Sequence, residues 1–188
     1  MADTPQASGF LARGGAWVVA QSVLMTAVVV SSVWFHGDGT RLPVIAVGAG
    51  LLVTGGYFGI AGVVVLGRNR TPFPQPREGS ELVQRGIYAH VRHPLYTSVM
   101  LTSLGWALLW QSGPALLATL ILIPFFHFKA RREERWLRGQ FPDYADYERT
   151  VPRFIPRIRC APQAGQFQDF DFKEAGETKD DVKLDKTR

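Results

Sequence analysis

Two short polar stretches of this chain contain the side chains that could do chemistry. Residues 80–96 read Ser-Glu-Leu-Val-Gln-Arg-Gly-Ile-Tyr-Ala-His-Val-Arg-His-Pro-Leu-Tyr, and residues 129–137 read Lys-Ala-Arg-Arg-Glu-Glu-Arg-Trp-Leu. Lys129 and Glu133 are four residues apart, so they would share one face of a helix. There the carboxylate can bind a ligand ammonium, and the lysine can hold an anionic acceptor. The same spacing also fits an exposed ion pair worth about 0.3–0.5 kcal/mol.

The first stretch also predicts an irregular backbone. Gly86 permits a turn that other residues resist, and Pro94 disfavours helical geometry in the residue before it. Such a backbone would offer unpaired N–H and C=O groups to a ligand such as a purine. Tyr88 and Tyr96 fit this site, although tyrosines are also common where a membrane meets water.

The elements that must position these stretches are long and apolar. The mean hydropathy is +0.01, but residues 14–66 contain only two charged side chains and residues 95–128 contain none. A bilayer core about 30 Å thick requires about 20 apolar residues in a helix. Residues 16–35 and residues 42–66 each meet that length. The run over 95–128 is broken at Gln-Ser-Gly-Pro, residues 111–114, a combination that ends one helix and begins another.

The sequence therefore predicts an all-α integral membrane bundle of about four transmembrane helices, the last two forming a tight helical hairpin. Pro94 suits the first turn of the third helix, where its missing N–H is harmless. Pro124 lies inside the fourth helix and should kink it. We divide the chain into a two-span region over 1–66, a hairpin region over 67–160 and a polar tail over 161–188, which we expect to be disordered.

The basic residues predict the orientation of the bundle. Residues 67–92 contain five arginines, and residues 129–138 contain one lysine and four arginines. Under the positive-inside rule both stretches, and with them both termini, face the cytoplasm. Residues 1–160 have a net charge of +7, and beside such apolar runs this favours contact with membrane lipids over nucleic acid. The four histidines are too scattered to predict a metal site, and the single cysteine excludes an internal disulfide.

A longer pattern joins the two polar stretches. It comprises Gly-Ile-Tyr at 86–88, Arg-His-Pro-Leu-Tyr at 92–96, the hairpin, Glu-Glu-Arg-Trp-Leu at 133–137, Phe141, Tyr144, Tyr147 and Val-Pro-Arg-Phe-Ile-Pro at 151–156. Over residues 78–156 this pattern resembles the isoprenylcysteine carboxyl methyltransferase family, which groups with membrane phospholipid methyltransferases. The first two spans match that family only in being hydrophobic.

The resemblance implies a methyltransferase that binds S-adenosylmethionine in a cytoplasmic cofactor-binding layer, between the start of the third span and the end of the fourth. Glu133 would pair with the ammonium of the methionine part, and residues 93–96 would hold the nucleoside. The cofactor-binding residues carried over by position are Ser80, Glu81, Leu82, Val83, Tyr88, His93, Pro94, Leu95, Tyr96 and Glu133.

The resemblance also suggests two catalytic candidates. Lys129 stands where the family has an arginine that meets the acceptor carboxylate, and lysine keeps the charge without the bidentate fork. Glu134 is a candidate to take a proton if the acceptor is an amine or a thiol, together with His90 or solvent. Ser98 replaces a glycine that is common in the family, and we expect it to affect helix packing.

The acceptor implied by this arrangement is lipophilic and enters from the bilayer. Carboxyl O-methylation of an isoprenylcysteine-like or other lipid acid is favoured. N-methylation of a phospholipid amine and S-methylation of a small thiol stay open, as does a four-span membrane protein without catalysis. We expect a lateral opening beside the Pro124 kink, with Phe125, Phe126 and Phe128 as candidate walls.

Overall fold

The computed structural model describes residues 14–67 and 81–156, which are helical or loop throughout. Ser80 and the predicted tail lie outside these ranges. The elements are α1 (Gly15–Trp34), α2 (Leu42–Leu66), a 3₁₀ helix (Gly86–Ala89), α3 (Pro94–Leu109), α4 (Gly113–Gln140) and α5 (Tyr144–Thr150). The predicted all-α class is confirmed, and the described residues belong to one compact unit.

The helix boundaries follow the local signals in the sequence. α2 has the predicted bounds, and α1 begins and ends one residue before its apolar run. α3 begins at Pro94. Ser112 caps α4 because its hydroxyl accepts the N–H of Ala115 at 3.3 Å. α4 continues through Pro124 as one helix.

The helices lie side by side in the order α2, α3, α4, α1, so the central hairpin of α3 and α4 is flanked by the first two helices. α1, α2 and α4 are each long and apolar enough to span a membrane. α3 has only 16 residues, a length of about 24 Å at 1.5 Å per residue. The hairpin partner of α4 is therefore shorter than a full bilayer core.

Glycines set the distance between α2 and α3. A Cβ added at Gly105 would lie 2.6 Å from the Gly48 carbonyl oxygen, and one added at Gly55 would lie 2.7 Å from the Thr102 methyl group. Such small residues let two backbones approach within a membrane. Ser98 belongs to the same seam, because its hydroxyl would be 2.7 Å from a Cβ added at Gly59.

Aromatic and aliphatic side chains fill the seam between α1 and α4. Phe126 is fully buried in a cluster with Val28 and Leu122, and Phe125 packs on Trp17 with ring centroids 5.4 Å apart. Phe128 is 56% exposed. Of the three candidate walls of the expected lateral opening, Phe126 is therefore buried, Phe125 is half-buried against Trp17 and Phe128 is exposed.

At the N-terminal end of α3, the C-terminal segment of residues 151–156 packs on the turn that precedes the helix. Gly86 has the expected positive φ, 60°, and residues 91–93 are not helical. The N–H groups of Arg92 and His93 donate to the carbonyls of Pro152 and Arg153, at 2.9 and 3.1 Å. Our expectation that this backbone offers unpaired N–H groups is wrong at these two residues, since the C-terminal segment occupies them.

Candidate functional site

A cavity of about 820 Å³, partly open to solvent, lies at the end of the bundle where α2 ends and α3 begins. We call it the main cavity. Its walls come from α2, the loop before the 3₁₀ helix, α3, α4 and α5. The lining residues are Leu66, Glu81, Leu82, Val83, Tyr88, Arg92, His93, Leu95, Tyr96, Glu133, Leu137, Phe141, Tyr144 and Tyr147.

One carboxylate of this cavity is held by two neighbouring rings. The Tyr96 hydroxyl donates to Glu133 Oε2 at 2.6 Å, and His93 Nδ1 lies 3.7 Å from the same oxygen. The rings of His93 and Tyr96 stack with their planes 3° apart. A quarter of the Glu133 side chain stays exposed. The Glu133 carboxylate is therefore fixed in position and accessible at the cavity wall.

The next residue, Glu134, has a different environment. It is fully buried, and Arg153 binds it in a bidentate pair at 2.9 and 2.5 Å. Arg92 Nη1 and His93 Nε2 approach one of its oxygens at 3.2 and 3.1 Å. The hydrogen bond to Glu134 raises the pKa of Arg153, more than partial burial lowers it. Glu134 thereby links α4, the turn before α3 and the C-terminal segment.

Tyrosines form the wall contributed by α5 and the 3₁₀ helix. The Tyr147 hydroxyl donates to the Tyr88 carbonyl at 2.6 Å, and the rings of Tyr144 and Tyr147 meet edge to face. Burial raises the pKa of all three hydroxyls, so they stay neutral at physiological pH. The wall therefore presents uncharged aromatic surface, which suits an organic cation or a planar ring.

Lys129 lies on α4 one turn before Glu133, beside the membrane-spanning part of the bundle. Its side chain is 2% exposed. The ammonium donates to Gln21 Oε1 on α1 at 2.5 Å and lies 5.2 Å from the centre of the Tyr96 ring. Lys129 is thus next to the Tyr96–Glu133 pair but does not line the main cavity.

The structure brings most of the predicted cofactor residues to one place. Those lining the main cavity are Glu81, Leu82, Val83, Tyr88, His93, Leu95, Tyr96 and Glu133. Pro94 is buried at the first turn of α3, and Ser80 lies outside the described residues. Of the two catalytic candidates, Lys129 lies 5.2 Å from the centre of the Tyr96 ring and outside the main cavity. Glu134 is bound by Arg92 and Arg153.

The structure adds to the site several residues for which the sequence predicted no role. Leu66 ends α2 at the cavity, and Arg92 and Arg153 bind Glu134. The other added lining residues are Leu137, Phe141, Tyr144 and Tyr147. All but Leu66 belong to the motif pattern of residues 78–156, so their place in that pattern was the available signal.

Comparison with known proteins identifies the family. A family model described as phospholipid methyltransferase matches residues 43–144, more than half of the chain. The chain belongs to the phospholipid methyltransferase family. The resemblance to isoprenylcysteine carboxyl methyltransferases is confirmed as well, because the chain is 34% identical over 113 residues to protein-S-isoprenylcysteine O-methyltransferase of Schizosaccharomyces pombe, covering 58% of this chain and 48% of that protein.

Two further relatives of this phospholipid methyltransferase family member are named as metal-resistance proteins. The cobalt-zinc-cadmium resistance protein CzcN of Cupriavidus metallidurans is 34% identical over 151 residues, covering 78% of this chain and 64% of that protein. The nickel-cobalt-cadmium resistance protein NccN of Alcaligenes xylosoxydans is 29% identical, covering 78% and 65%. The chain thus spans less than two thirds of the length of each. Within residues 14–67 and 81–156 no three His, Cys, Asp or Glu side chains gather as metal ligands.

A solved structure shares the fold. The eukaryotic intramembrane isoprenylcysteine carboxyl methyltransferase, determined without a monobody, superposes with a TM-score of 0.57 at 22% sequence identity, covering 77% of this chain and 53% of that one. The predicted membrane bundle is therefore confirmed as a known helical membrane fold.

Proposed function

We propose that the chain is an integral membrane methyltransferase that takes S-adenosylmethionine into the main cavity and methylates a lipophilic acceptor. The observation that carries the proposal is the convergence of residues 81–96 and Glu133 on one cavity. These residues are far apart in sequence, and they are the ones that the family motif assigns to the cofactor.

The residues present fit the cofactor. The Glu133 carboxylate, held by Tyr96 and partly exposed, is a suitable partner for the amino group of the methionine part. The aromatic rings of Tyr88, Tyr96 and Tyr144 suit the sulfonium cation and the adenine. The apolar side chains of Leu82, Val83 and Leu95 complete the walls. When bound, S-adenosylmethionine supplies a methyl group that is already activated by the sulfonium charge.

The work left to the protein is binding, alignment and exclusion of water. Tyr96 fixes Glu133, and stacking of His93 on Tyr96 fixes the tyrosine ring. Glu134 acts one step further away, because it holds the other nitrogen of His93. We assign Glu134 a positioning role, since its oxygens are bound by His93, Arg92 and Arg153. A proton-accepting role would first require breaking these bonds.

The acceptor is a lipid or lipid-modified molecule that reaches the site from the bilayer. We favour a carboxylate, because it is ionised without a base, and Lys129 is a cation within 5.2 Å of the Tyr96 ring that can attract it. An amine or thiol acceptor would need a proton acceptor. By the positive-inside rule the cavity and both termini face the cytoplasm.

Binding of S-adenosylhomocysteine to the detergent-purified protein, measured by calorimetry, tests the cofactor assignment. We expect saturable binding that Glu133→Gln weakens at least tenfold, because the methionine-part ammonium loses its counter-charge. Tyr96→Phe should weaken binding by less, about 0.5–1.5 kcal/mol for one hydrogen bond. Asp146→Asn on the exposed face of α5 is the matched control and should bind normally. No binding by the folded unmodified protein would reject the methyltransferase assignment.

The acceptor is identified by labelling. Membranes containing the protein are incubated with methyl-labelled S-adenosylmethionine, and the lipids are extracted. Methanol released by mild base indicates a carboxyl ester, whereas base-stable label indicates nitrogen or sulfur. Stable label would overturn the carboxylate preference and leave the cofactor assignment intact.

A further inference from the structure

A second hollow lies on the other side of α4 from the main cavity, and no residue lines both. Arg131, Arg135 and Arg138 lie along one face of α4, and Arg153 joins them from the C-terminal segment. Trp17 of α1 and Phe128 form the apolar part of the wall, and Glu134 lies at its base. We call this open region, about 1030 Å³, the arginine hollow.

The positive charge of the arginine hollow is only partly balanced. Arg153 is paired with Glu134, and Arg138 makes two 2.8 Å hydrogen bonds to Glu148. Among the described residues, no carboxylate lies within 4 Å of the guanidinium of Arg131 or Arg135, and both residues are exposed. The hollow therefore presents two adjacent guanidinium groups, one helical turn apart, that can accept an anion.

The hollow lies where α4 changes from apolar to charged. Residues 113–128 contain no charged side chain, and the charged run begins at residue 129. Trp17, near the start of α1, packs on Phe125, which places an indole beside this transition. Tryptophan is enriched where lipid headgroups meet the hydrocarbon. In a bilayer this transition would place the arginines at the depth of the lipid phosphates, with Phe128 and Trp17 beside the first part of the acyl chains.

We propose that the arginine hollow binds one anionic phospholipid, with Arg131 and Arg135 on its phosphate and the acyl chains along Trp17 and Phe128. Guanidinium groups pair with phosphate oxygens in a bidentate manner, and basic pockets beside membrane helices select anionic headgroups. A free phosphate would leave the apolar half of the hollow without a partner, so a lipid fits the whole wall. The hollow shares no lining residue with the main cavity.

Native mass spectrometry of the detergent-purified protein tests this site. The protein is titrated with dioleoyl phosphatidylglycerol, with dioleoyl phosphatidylcholine and with inorganic phosphate. We expect one tightly bound phosphatidylglycerol, and the double variant Arg131→Gln/Arg135→Gln should bind it about tenfold more weakly or worse. Arg131→Lys/Arg135→Lys keeps the charge without the fork and should show an intermediate loss.

The matched control is Arg41→Gln/Arg149→Gln, which removes the same charge away from the hollow and should keep the tight lipid. Circular dichroism and thermal unfolding of each variant establish that it is folded. Equal affinity for phosphatidylglycerol and phosphatidylcholine would overturn the proposal. So would an equal loss in the control variant, or competition by inorganic phosphate at the same concentration as the lipid, which would indicate a simple anion site.

Discussion

Along the seam between α2 and α3, the two backbones approach over glycines, and Gly48 and Gly105 face each other with room for no side chain. Around the last turns of α4, the contacts are instead between ionised groups, and Glu134 is bound by Arg92, His93 and Arg153. We call this second region, Glu134 together with Arg92, His93 and Arg153, the charged layer. Both regions position the N-terminal end of α3, where His93 and Tyr96 line the main cavity.

The two regions fail in different ways when they are changed. The glycine seam has no polar partners to lose, so it is sensitive to added volume. In the charged layer, removal of one ion takes a counter-charge from partners that are themselves largely buried. A membrane protein thus combines packing by shape inside the apolar region with charge compensation at its polar end.

The largest effect is expected from Glu134→Ala in the charged layer. It leaves Arg92, whose side chain is 7% exposed, with Glu148 at 3.1 Å as its remaining counter-charge and removes the bidentate partner of Arg153, and removal of one member of a buried pair costs about 3–5 kcal/mol. Thermal unfolding in detergent should show this loss. Glu133→Gln, one residue away and partly exposed, should lose much less stability while it loses cofactor binding. Equal destabilisation by the two variants would remove the distinction we draw between these neighbours.

A smaller loss is expected from Gly105→Ala in the glycine seam. Its Cβ would lie 2.6 Å from the Gly48 carbonyl oxygen and 2.9 Å from the Leu52 nitrogen. Because backbone atoms must shift, we expect a cost of about 1–3 kcal/mol, measured by the same unfolding assay. Gly50→Ala is the matched control, since nothing lies within 4 Å of its added Cβ. If both variants are equally stable, close approach is not what holds α2 to α3.

The smallest effect concerns pH and the rim of the charged layer. Hydrogen bonds from Arg138 lower the pKa of Glu148 below its ordinary value of 4.5, more than partial burial raises it. Because the folded-state pKa is the lower one, Glu148 stabilises the fold above its ordinary pKa, and this contribution is lost as pH falls through the folded pKa. When the pH is lowered from about 6 to about 3, the unfolding temperature of Glu148→Gln should therefore fall by less than that of the unmodified protein. The unfolding temperature of the control variant Asp146→Asn should fall by as much as that of the unmodified protein.

Much of the fold could be predicted from the sequence because its signals are local. The length of the apolar runs predicted the bounds of α1 and α2 to within one residue. Pro94 predicted the start of α3, and the break at 111–114 predicted the turn between α3 and α4. Pro124 lies inside α4, which continues through it as one helix, and the kink expected there stays a prediction. The packing of Phe125 and Phe126 against α1 could not be predicted, because no local pattern reveals which helix lies beside α4.

The candidate site was predictable to the extent that the family motif covers it. Residues 81–96 and Glu133 converge on the main cavity as expected, although their separate roles stay predictions. Arg92, Arg153 and Tyr147 belong to the same motif, but their partners lie 42, 19 and 59 residues away. Such pairings are decided by how the C-terminal segment returns to α3, and spacing within one helix cannot supply them.

The sequence by itself determined the helices, the polar layer at one end and the family, because apolar runs, breakers and motif residues act over short distances. Only the tertiary structure decided which of two adjacent carboxylates faces the main cavity. Consecutive residues of a helix point about 100° apart, so Glu133 and Glu134 must face different neighbours. The packing of α4 between α3 and α1 then directs Glu133 to Tyr96 and the cavity, and Glu134 to the arginines.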